Sequence, residues 1–274
     1  MITVDIYIPS GEDEKKALER TTHLAVSAHQ DDIEFMAYDG ILKCFMQDDK
    51  YFTAVVATNG SGSPRSGLYG DYSDEHMMSV RKQEQKKAAV VGDYSAQVFM
   101  DIPSATIKNP DDRTAIEDLK KVIEATQPKV IYTHNPADKH DTHVAVVLRL
   151  ITALRELNYK PDEFYGCEVW RGLDWMCDNE KIAFDVSSRP NLEAALLGVF
   201  DSQIAGGKRY DLAVTGRRLA NATFSESHGV DNAEKIIYAV DLLPVLNGES
   251  TDEYIAGYID RFKNDVKEKI KKLQ

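Results

Sequence analysis

The chain has 274 residues, of which 43% are hydrophobic and 28% are charged, and its formal net charge is −12. This length and apolar content suffice for a substantial core, in one large α/β domain or two small ones. The acidic balance argues against a nucleic-acid backbone or an anionic membrane as the main partner. It leaves a small neutral substrate open.

Cysteine content and apolar runs set the expected compartment. The three cysteines, Cys44, Cys167 and Cys177, are odd in number and far apart, so neither a disulfide framework nor a thiolate metal site is predicted. Free thiols fit a reducing cytoplasm, which is the expected location. The start, MITVDIYIPSGEDEKK, lacks the pattern of a signal peptide. No apolar run approaches the ~18 residues of a membrane span.

Short apolar runs alternate with longer helical patterns over the first 160 residues or so. Strands are predicted at 24–28, 52–58, 97–100 and 129–134, and helices at 40–47, 79–92, 114–128 and 143–157. Such alternation is typical of βαβ units. The predicted fold is therefore α/β and Rossmann-like, with a mostly parallel sheet and helices on both faces.

The pattern is weaker in the second half of the chain. It favours strands at YGCEVWRG, KIAFDV and IIYAVDLL, a helix at NLEAALLGVFDSQ, and a charged amphipathic helix at about 252–273. No internal repeat, low-complexity tract or linker divides the chain. Residues 1–274 are therefore predicted to form a single domain that ends in this helix.

Two polar clusters each follow a predicted strand. SAHQDDIEF (27–35) contains His29, and THNPADKHDTHVAVV (133–147) contains three of the seven histidines of the chain. Ligands bind at the carboxyl ends of the strands in an open parallel sheet. Either cluster alone has an ordinary explanation, as a helix cap or a solvated loop. Their pairing at two strand ends favours one shared pocket.

The residue types in this pocket fit a single zinc ion. His29, Asp32 and His143 could supply three protein ligands, which is the usual number at a catalytic zinc. Magnesium and manganese compete, but two imidazoles favour zinc or iron over magnesium. Asp31 would then be free to accept a proton from water, and a protonated His140 could stabilise an oxyanion.

These clusters resemble the motifs of a known family. AHQDDIEF is similar to the A-H-P-D-D-x-E motif of the LmbE-like, or PIG-L, N-acetylglucosaminyl deacetylases, and HNPADKHDTH is similar to their H-x-P-x-D-x-H-x-D-H motif. SVRKQEQKKAAVVG and NLEAALLGVFDSQ resemble two family helices in the same order. The resemblance spans about residues 22–205, and it implies that the predicted domain is a single LmbE-like deacetylase domain.

The resemblance implies a role for each matching residue. His29, Asp32 and His143 correspond to the zinc ligands, Asp31 to the general base, and His140 to the histidine that stabilises the tetrahedral intermediate.

A sixth residue is suggested by its position in a loop. Arg65, in the Gly/Ser-rich loop 59–74, lies near where family members place a substrate-binding arginine. This match depends on loop position and not on a motif, so an ordinary solvent-exposed arginine is an equal alternative.

Four departures from the family pattern concern the surroundings of the metal and the substrate. Gln30 replaces a proline, and Thr142 stands where the family has an aspartate that orients a neighbouring group. Ser104 replaces an aspartate that contacts the substrate in many members, and Asp201 replaces a histidine. The ligand and base positions are kept but the substrate-contacting positions are not, so an uncommon substrate is expected.

The function implied is a zinc-dependent hydrolase that removes the acetyl group from an N-acetylated amino sugar or its glycoside. The partner is then a small molecule, held by loops 59–74, 101–112 and 222–229, and a homo-oligomer is compatible with the sequence. Three alternatives stay open: an amidase for another N-acyl substrate, a phosphoesterase and a non-catalytic sugar-binding relative. The phosphoesterase would want several basic residues, of which the clusters offer only Lys139, and the binding relative would be expected to lack Asp31.

Overall fold

The computed structural model describes residues 4–274, and its centre is a mixed sheet of eight strands. The strands are β1 (Asp5–Tyr7), β2 (His23–Ser27), β3 (Phe52–Thr58), β4 (Ala96–Ile102), β5 (Val130–His134), β6 (Glu163–Cys167), β7 (Ile182–Asp185) and β8 (Ile236–Asp241).

The strands lie in the order β1-β4-β3-β2-β5-β6-β8-β7. The five strands from β4 to β6 run parallel, whereas β1, β8 and β7 pair antiparallel with their neighbours. The predicted α/β fold with a mostly parallel sheet is confirmed. The chain runs from β2 outward through β3 and β4, then returns to β5 on the other side of β2. This reversal creates a switch point at the carboxyl ends of β2 and β5, where ligands of such sheets bind.

Twelve α-helices connect these strands within residues 4–274. They are α1 (Glu14–Glu19), α2 (Asp32–Met36), α3 (Tyr38–Cys44), α4 (Asp74–Val91), α5 (Ser104–Lys108), α6 (Thr114–Thr126), α7 (Asp141–Glu156), α8 (Pro190–Gly198), α9 (Asp201–Ile204), α10 (Tyr210–Thr223), α11 (Leu243–Leu246) and α12 (Thr251–Leu273).

Each face of the sheet has its own apolar core, because successive side chains of a strand point to opposite faces. Leu24 and Val26 of β2 pack in one core, with α6 and α7. Ala25 packs in the other, with Ile33 of α2 and Ile41 of α3. Full burial of one such aliphatic side chain contributes about 1.5–3 kcal/mol. Helices therefore cover both faces, as predicted.

The structure differs from the sequence prediction in several elements. The helix predicted at NLEAALLGVFDSQ is two helices, α8 and α9, because the fully buried Phe200 has a non-helical backbone between them. Helix α10 was not predicted, and its buried residues, Arg218 and Ala222, give no apolar periodicity. Strand β1 and the short helices α1, α2, α5 and α11 were also not predicted.

Most other boundaries lie within three residues of the predicted ones, but α4 begins five residues earlier and β6 ends five residues earlier. Helix α4 begins at Asp74, because the Ser73 side chain accepts a hydrogen bond from the backbone N–H of His76 and caps the first turn. The strand predicted at YGCEVWRG ends at Cys167, so that Trp170 leaves the sheet. Helix α12 starts one residue before the predicted range, and only Ile255 in it is fully buried. Across residues 4–274, no helix combines the length and apolar character needed to cross a bilayer.

Candidate active site

The loop between β2 and α2 is folded tightly at the switch point. The backbone N–H of His29 donates to Asp32 Oδ2 at 2.8 Å, and the Ser27 hydroxyl donates to the His29 carbonyl at 3.1 Å. Asp31 has φ 94°, a conformation that costs a non-glycine residue about 1–3 kcal/mol. Its N–H donates to Gln85 Oε1 at 3.2 Å, which helps to hold this strained turn.

Three side-chain atoms from this loop and from α7 form a triangle. The distances are 3.1 Å from His29 Nδ1 to Asp32 Oδ2, 3.2 Å from His29 Nδ1 to His143 Nε2, and 3.3 Å from His143 Nε2 to Asp32 Oδ2. Two ligands of a tetrahedral zinc ion lie about 3.4 Å apart when the bonds are ~2.1 Å long. The structure therefore brings the three predicted ligands together at the spacing that a tetrahedral metal requires.

The charges in this triangle favour a cation. Burial alone would raise the pKa of Asp32, but His143, His29 and His134 outweigh it and hold that pKa well below its usual range. Burial lowers the pKa of His143, and the carboxylates of Asp32 and Asp138 outweigh it and raise that pKa to about 9. One proton can lie between only two of the three atoms, whereas a metal ion contacts all three. The donor set therefore fits a divalent metal.

His134 lies beside the triangle but is poorly suited to be a ligand. Its ring stacks on that of His143 with centroids 3.9 Å apart, and its Nε2 accepts a 2.8 Å hydrogen bond from the backbone N–H of Ala28. That bond occupies the lone pair which a metal would need. Burial holds the pKa of His134 well below its usual range, so the ring is neutral and supports His143.

Asp138 provides a carboxylate behind His143. Its Oδ1 lies 3.6 Å from His143 Nδ1 and accepts a 3.0 Å hydrogen bond from the His140 N–H, while Oδ2 accepts one from the Trp170 N–H at 3.0 Å. A carboxylate facing the outer nitrogen of a metal-binding histidine fixes the ring and raises its basicity. From the sequence, this orienting function was in doubt, because Thr142 replaces the aspartate that supplies it in the family. Asp138 is placed to supply it instead.

Asp31 lies on the other side of the loop, against an arginine from α4. Arg81 Nη2 is 3.2 Å from Asp31 Oδ2, and the same guanidinium donates to the Gln30 carbonyl and to Ser63 Oγ. Burial raises the pKa of Asp31 well above its usual range, and the charge of Arg81 opposes this rise. An ionised carboxylate with a raised pKa is a good proton acceptor.

Helix α4 carries site residues to which the sequence interpretation gave no role. Arg81 and Gln85 are four residues apart and therefore share one helix face. Gln85 Nε2 and the Tyr94 hydroxyl donate to Glu34 Oε1 at 2.9 and 2.7 Å. Burial raises the pKa of Glu34 to about 7. The signal for these residues was the segment SVRKQEQ, whose resemblance to a family helix was noted without assigning individual side chains.

His140 lies across the triangle, 4.9 Å from the His29 ring centroid and 4.6 Å from that of His143. Its Nδ1 accepts a 3.3 Å hydrogen bond from the Thr142 N–H, which leaves the proton on Nε2. Burial, together with His143 and His29, lowers the pKa of His140 to about 4. This environment favours a neutral His140, and the protonated His140 expected from the sequence stays a prediction. A neutral Nε2–H can still donate to an oxyanion.

These groups open into a cavity of about 410 Å³. One part of its wall is aromatic. The ring centroid of Tyr210 lies 5.6 Å from that of Phe35 and 5.9 Å from that of Trp170. The lining also includes Thr58, Gly60, Gly62, Ser63, Pro64, Ser104, Lys108, Thr142, Gln203 and Lys208. Gly60 has φ 77°, and a Cβ there would lie 2.7 Å from Gln30 Oε1, so only glycine fits this close approach.

Arg65, the predicted substrate-binding residue, is not part of this lining. Its guanidinium donates to the carbonyls of Ser61 and Tyr72, at 2.8 and 2.7 Å, and pairs with Asp74. These contacts brace the 59–74 loop. A direct role for Arg65 in substrate binding stays a prediction.

Asp201 and the loop 222–229, both singled out in the sequence, do not line the cavity. Asp201 accepts a 2.6 Å hydrogen bond from the Tyr69 hydroxyl and does not line it. The exposed His228 is not in the lining either.

The fold and the site together define a Rossmann-like α/β protein with a candidate metal-binding active site at its switch point. Residues 24–154 match the family model described as PIG-L, GlcNAc-PI de-N-acetylase. The predicted resemblance to the LmbE-like, or PIG-L, family is confirmed over this part of the chain. A search of curated proteins finds no match.

Solved structures share the fold at low sequence identity. GalB, the 4-carboxy-2-hydroxymuconate hydratase from Pseudomonas putida, is 19% identical with a TM-score of 0.63, over 82% of this chain and 97% of that one. The N,N'-diacetylchitobiose deacetylase from Pyrococcus horikoshii is 14% identical with a TM-score of 0.62, over 80% and 83%. Teicoplanin deacetylase Orf2, in a zinc-inhibited form, is 17% identical with a TM-score of 0.55, over 81% and 98%. These likenesses show the fold, which a hydratase and deacetylases share.

Proposed function

We propose that the protein is a metal-dependent N-deacetylase that releases acetate from an N-acetylated amino sugar or its glycoside. The observation that carries the proposal is the triangle of His29, Asp32 and His143, of which His29 and Asp32 line one cavity with Asp31 and His140. The PIG-L match and the deacetylases among the structural neighbours support it. With its three free cysteines, the protein would suit a reducing cytoplasm.

His29, Asp32 and His143 would hold the metal, and zinc is the proposed ion. When bound, zinc polarises a carbonyl and lowers the pKa of water toward ~7. The burial of Asp32 and His143 and the raised pKa of His143 would make these ligands strongly basic toward a cation. Because one structural neighbour is described as zinc-inhibited, the metal should be tested as a series and at limiting as well as excess zinc.

The side chains around the triangle would move and hold the protons. Asp31 accepts the proton of the attacking water at the carboxylate oxygen that Arg81 does not hold. It then returns a proton to the departing amine, so that acetate and a free amine result. His140, as a neutral Nε2–H donor, stabilises the oxyanion of the tetrahedral intermediate. The aromatic wall at Trp170 and Tyr210 would pack against the apolar face of a sugar ring.

Acetate release from a panel of N-acetylated amino sugars tests the proposal. The metal-free protein should be inactive, one equivalent of zinc, cobalt or manganese should restore turnover, and a chelator should abolish it. The panel should include a phosphate ester and an unsaturated dicarboxylic acid, because a phosphoesterase is the rival from the sequence and GalB is a hydratase. Turnover of the phosphate ester or of the dicarboxylic acid without acetate release from any sugar would overturn the proposal. Acetate release that a chelator does not reduce would also overturn it.

A further inference from the structure

Two lysines from distant parts of the chain reach the same cavity. Lys108 is the last residue of α5, which follows the carboxyl end of β4, and Lys208 lies between α9 and α10. Both line the cavity that contains His29, Asp31 and Asp32. Among the ion pairs of residues 4–274, none involves either ammonium group within 4.0 Å.

Some other lysines of the chain pair with carboxylates. Lys43 Nζ lies 2.8 Å from Asp39, Lys181 Nζ lies 2.7 Å from Asp178, and Lys82 Nζ lies 2.6 Å from Asp101. The chain has 45 acidic and 33 basic residues, so carboxylates are plentiful. Many lysines of residues 4–274 have no carboxylate within 4.0 Å, so what distinguishes Lys108 and Lys208 is that both line the candidate active-site cavity.

The cavity is a positive region of a negative protein. Its lining has three cationic side chains, Arg81, Lys108 and Lys208, and two carboxylates, Asp31 and Asp32, so it sums to +1. The rest of the chain then has 30 basic and 43 acidic residues, which sum to −13. Because Arg81 is paired with Asp31, the two lysines supply the free positive charge. A cleft of one sign attracts ligands of the other sign.

Lys208 is held in place at this cavity by its surroundings. Its Nζ lies 5.3 Å from the ring centroid of Trp170, and its backbone N–H donates to the Gln203 carbonyl at 2.9 Å. The preceding residue, Gly207, has φ 112°, which L side chains rarely adopt, and a Cβ there would lie 3.0 Å from Ser66 Oγ. The turn therefore directs Lys208 toward the aromatic wall, where the cation–π contact supports it.

We propose that Lys108 and Lys208 form a subsite for an anionic substituent, a carboxylate or a phosphate, on the N-acetylated substrate. This inference rests on the proposed deacetylase function and makes its substrate class narrower. The N-acetyl group lies at His29, Asp32 and His143, and the acidic substituent lies at the two ammonium groups. An acidic N-acetyl amino sugar is then preferred over a neutral one.

The test compares matched substrates on the metal-loaded protein. The methyl glycoside of N-acetylglucosamine is neutral, its carboxymethyl glycoside adds a carboxylate, and the 6-phosphate of the methyl glycoside adds a phosphate. We expect kcat/KM to be about 10²-fold higher for at least one acidic sugar than for the neutral one, mainly through KM, at about tenfold for each lysine. The acidic sugar that shows the preference identifies the anion. The preference should shrink as the salt concentration rises, because ions screen exposed charges.

Lysine variants assign the effect to the subsite. In the Lys108→Met/Lys208→Met double variant, the preference for the acidic sugar should fall to near one. Lys139→Met is the matched control, because Lys139 is an exposed lysine of the 133–147 cluster that does not line the cavity. It should keep the preference. Equal turnover of all three sugars by the wild type, or a preference that survives in the double variant, would overturn the subsite.

Calorimetric binding separates this inference from the proposed function. If no sugar releases acetate, the deacetylase proposal fails, and the affinities of the same sugars still test the subsite. Tighter binding of an acidic sugar to the wild type, lost in the double variant, supports the subsite alone. Equal affinities for the acidic and neutral sugars overturn it.

Discussion

The two ends of α2 both bury charged groups, but they satisfy them differently. At the C-terminal end, Arg218 Nη2 donates to the carbonyls of Glu34 and Phe35 at 2.8 and 2.9 Å, and its Nη1 donates to Glu193 Oε1 at 2.7 Å. Lys235 contacts the other carboxylate oxygen of Glu193. Both Nη groups of Arg218 meet acceptors here, although its Nε has no hydrogen-bond partner within residues 4–274, and the carbonyls that a helix end leaves free are bound.

At the N-terminal end of α2, groups of the same kind converge without matching partners. His29, Asp32 and His143 direct two ring nitrogens and one carboxylate oxygen at one point. The Nδ1 of His143 also has no hydrogen-bond partner within the described residues, and faces Asp138 at 3.6 Å. Buried polar groups are normally paired, so converging acceptors indicate a cation site, whereas matched ion pairs indicate a structural role.

Among changes at the N-terminal end of α2, Asp31→Asn should have the largest effect on turnover. The amide has nearly the same shape but accepts no proton at neutral pH, so turnover should fall on the order of 10²–10⁴-fold. The three metal ligands are unchanged, so the metal content should equal that of the wild type. Steady-state acetate release and elemental analysis of the same preparation would check both parts. Turnover near the wild-type rate would remove Asp31 from the mechanism.

Arg218→Met should have its main effect on stability, because it removes the buried ion pair with Glu193 at the C-terminal end of α2. Glu193 would lose its best partner while buried, and removing one member of a buried ion pair costs about 3–5 kcal/mol of unfolding free energy. Urea unfolding would measure this loss. Arg209→Met is the control, since it breaks an exposed pair with Asp211 and should leave stability unchanged. An equal effect of the two substitutions would contradict the comparison.

Asp138→Asn should weaken metal binding without abolishing it. The carboxylate behind His143 would become a neutral amide, and loss of such a partner usually lowers metal affinity 10–100-fold. Competition with a chromophoric chelator would measure the change. An unchanged affinity would mean that Asp138 serves only to accept hydrogen bonds from backbone N–H groups.

His23 offers a buried imidazole at the opposite end of β2, where no carboxylate pairs with it. Burial, together with Lys43 and Lys50, lowers its pKa to about 4, so the native state holds it neutral. In the unfolded chain, His23 takes up a proton below about pH 6.5, whereas the native state keeps it neutral down to about pH 4. Its contribution to the unfolding free energy is therefore complete above pH 6.5 and is lost as the pH falls toward 4. We expect His23 to account for a loss of about 2 kcal/mol in unfolding free energy between pH 7 and pH 5.

His23→Phe would isolate this contribution. The substitution keeps an aromatic ring stacked near Tyr132, at the present centroid distance of 6.4 Å, but removes the titrating group. Its unfolding free energy should fall less steeply than that of the wild type over the same pH range. Parallel pH profiles would show that His23 does not cause the loss.

The sequence was most informative where the chemistry is local. The strand–helix alternation around β2, β3 and β5 gave the fold, and the spacing of His29 and Asp32 placed two ligands on one short turn. His143 was predicted from a second motif, and the parallel pairing of β2 with β5 brings the two strand ends together.

The sequence was least informative where long-range packing decides. Arg81 reaches Asp31 only because α4 packs over the β2–α2 loop, and Lys208 reaches the cavity only through the turn at Gly207. Neither contact has a signature in sequence spacing. The lowered pKa of His140 likewise depends on burial and on neighbouring rings, which a sequence pattern does not reveal.

The zinc content of two histidine variants tests the central claim most directly. His29, His140 and His143 lie close enough together to form an alternative ligand set, so the proposed set of His29, Asp32 and His143 must be distinguished from it. After dialysis against buffered zinc, elemental analysis should find one zinc per chain in the wild type and in His140→Ala, and none in His143→Ala. Zinc lost from His140→Ala, or retained at the wild-type level in His143→Ala, would contradict the account.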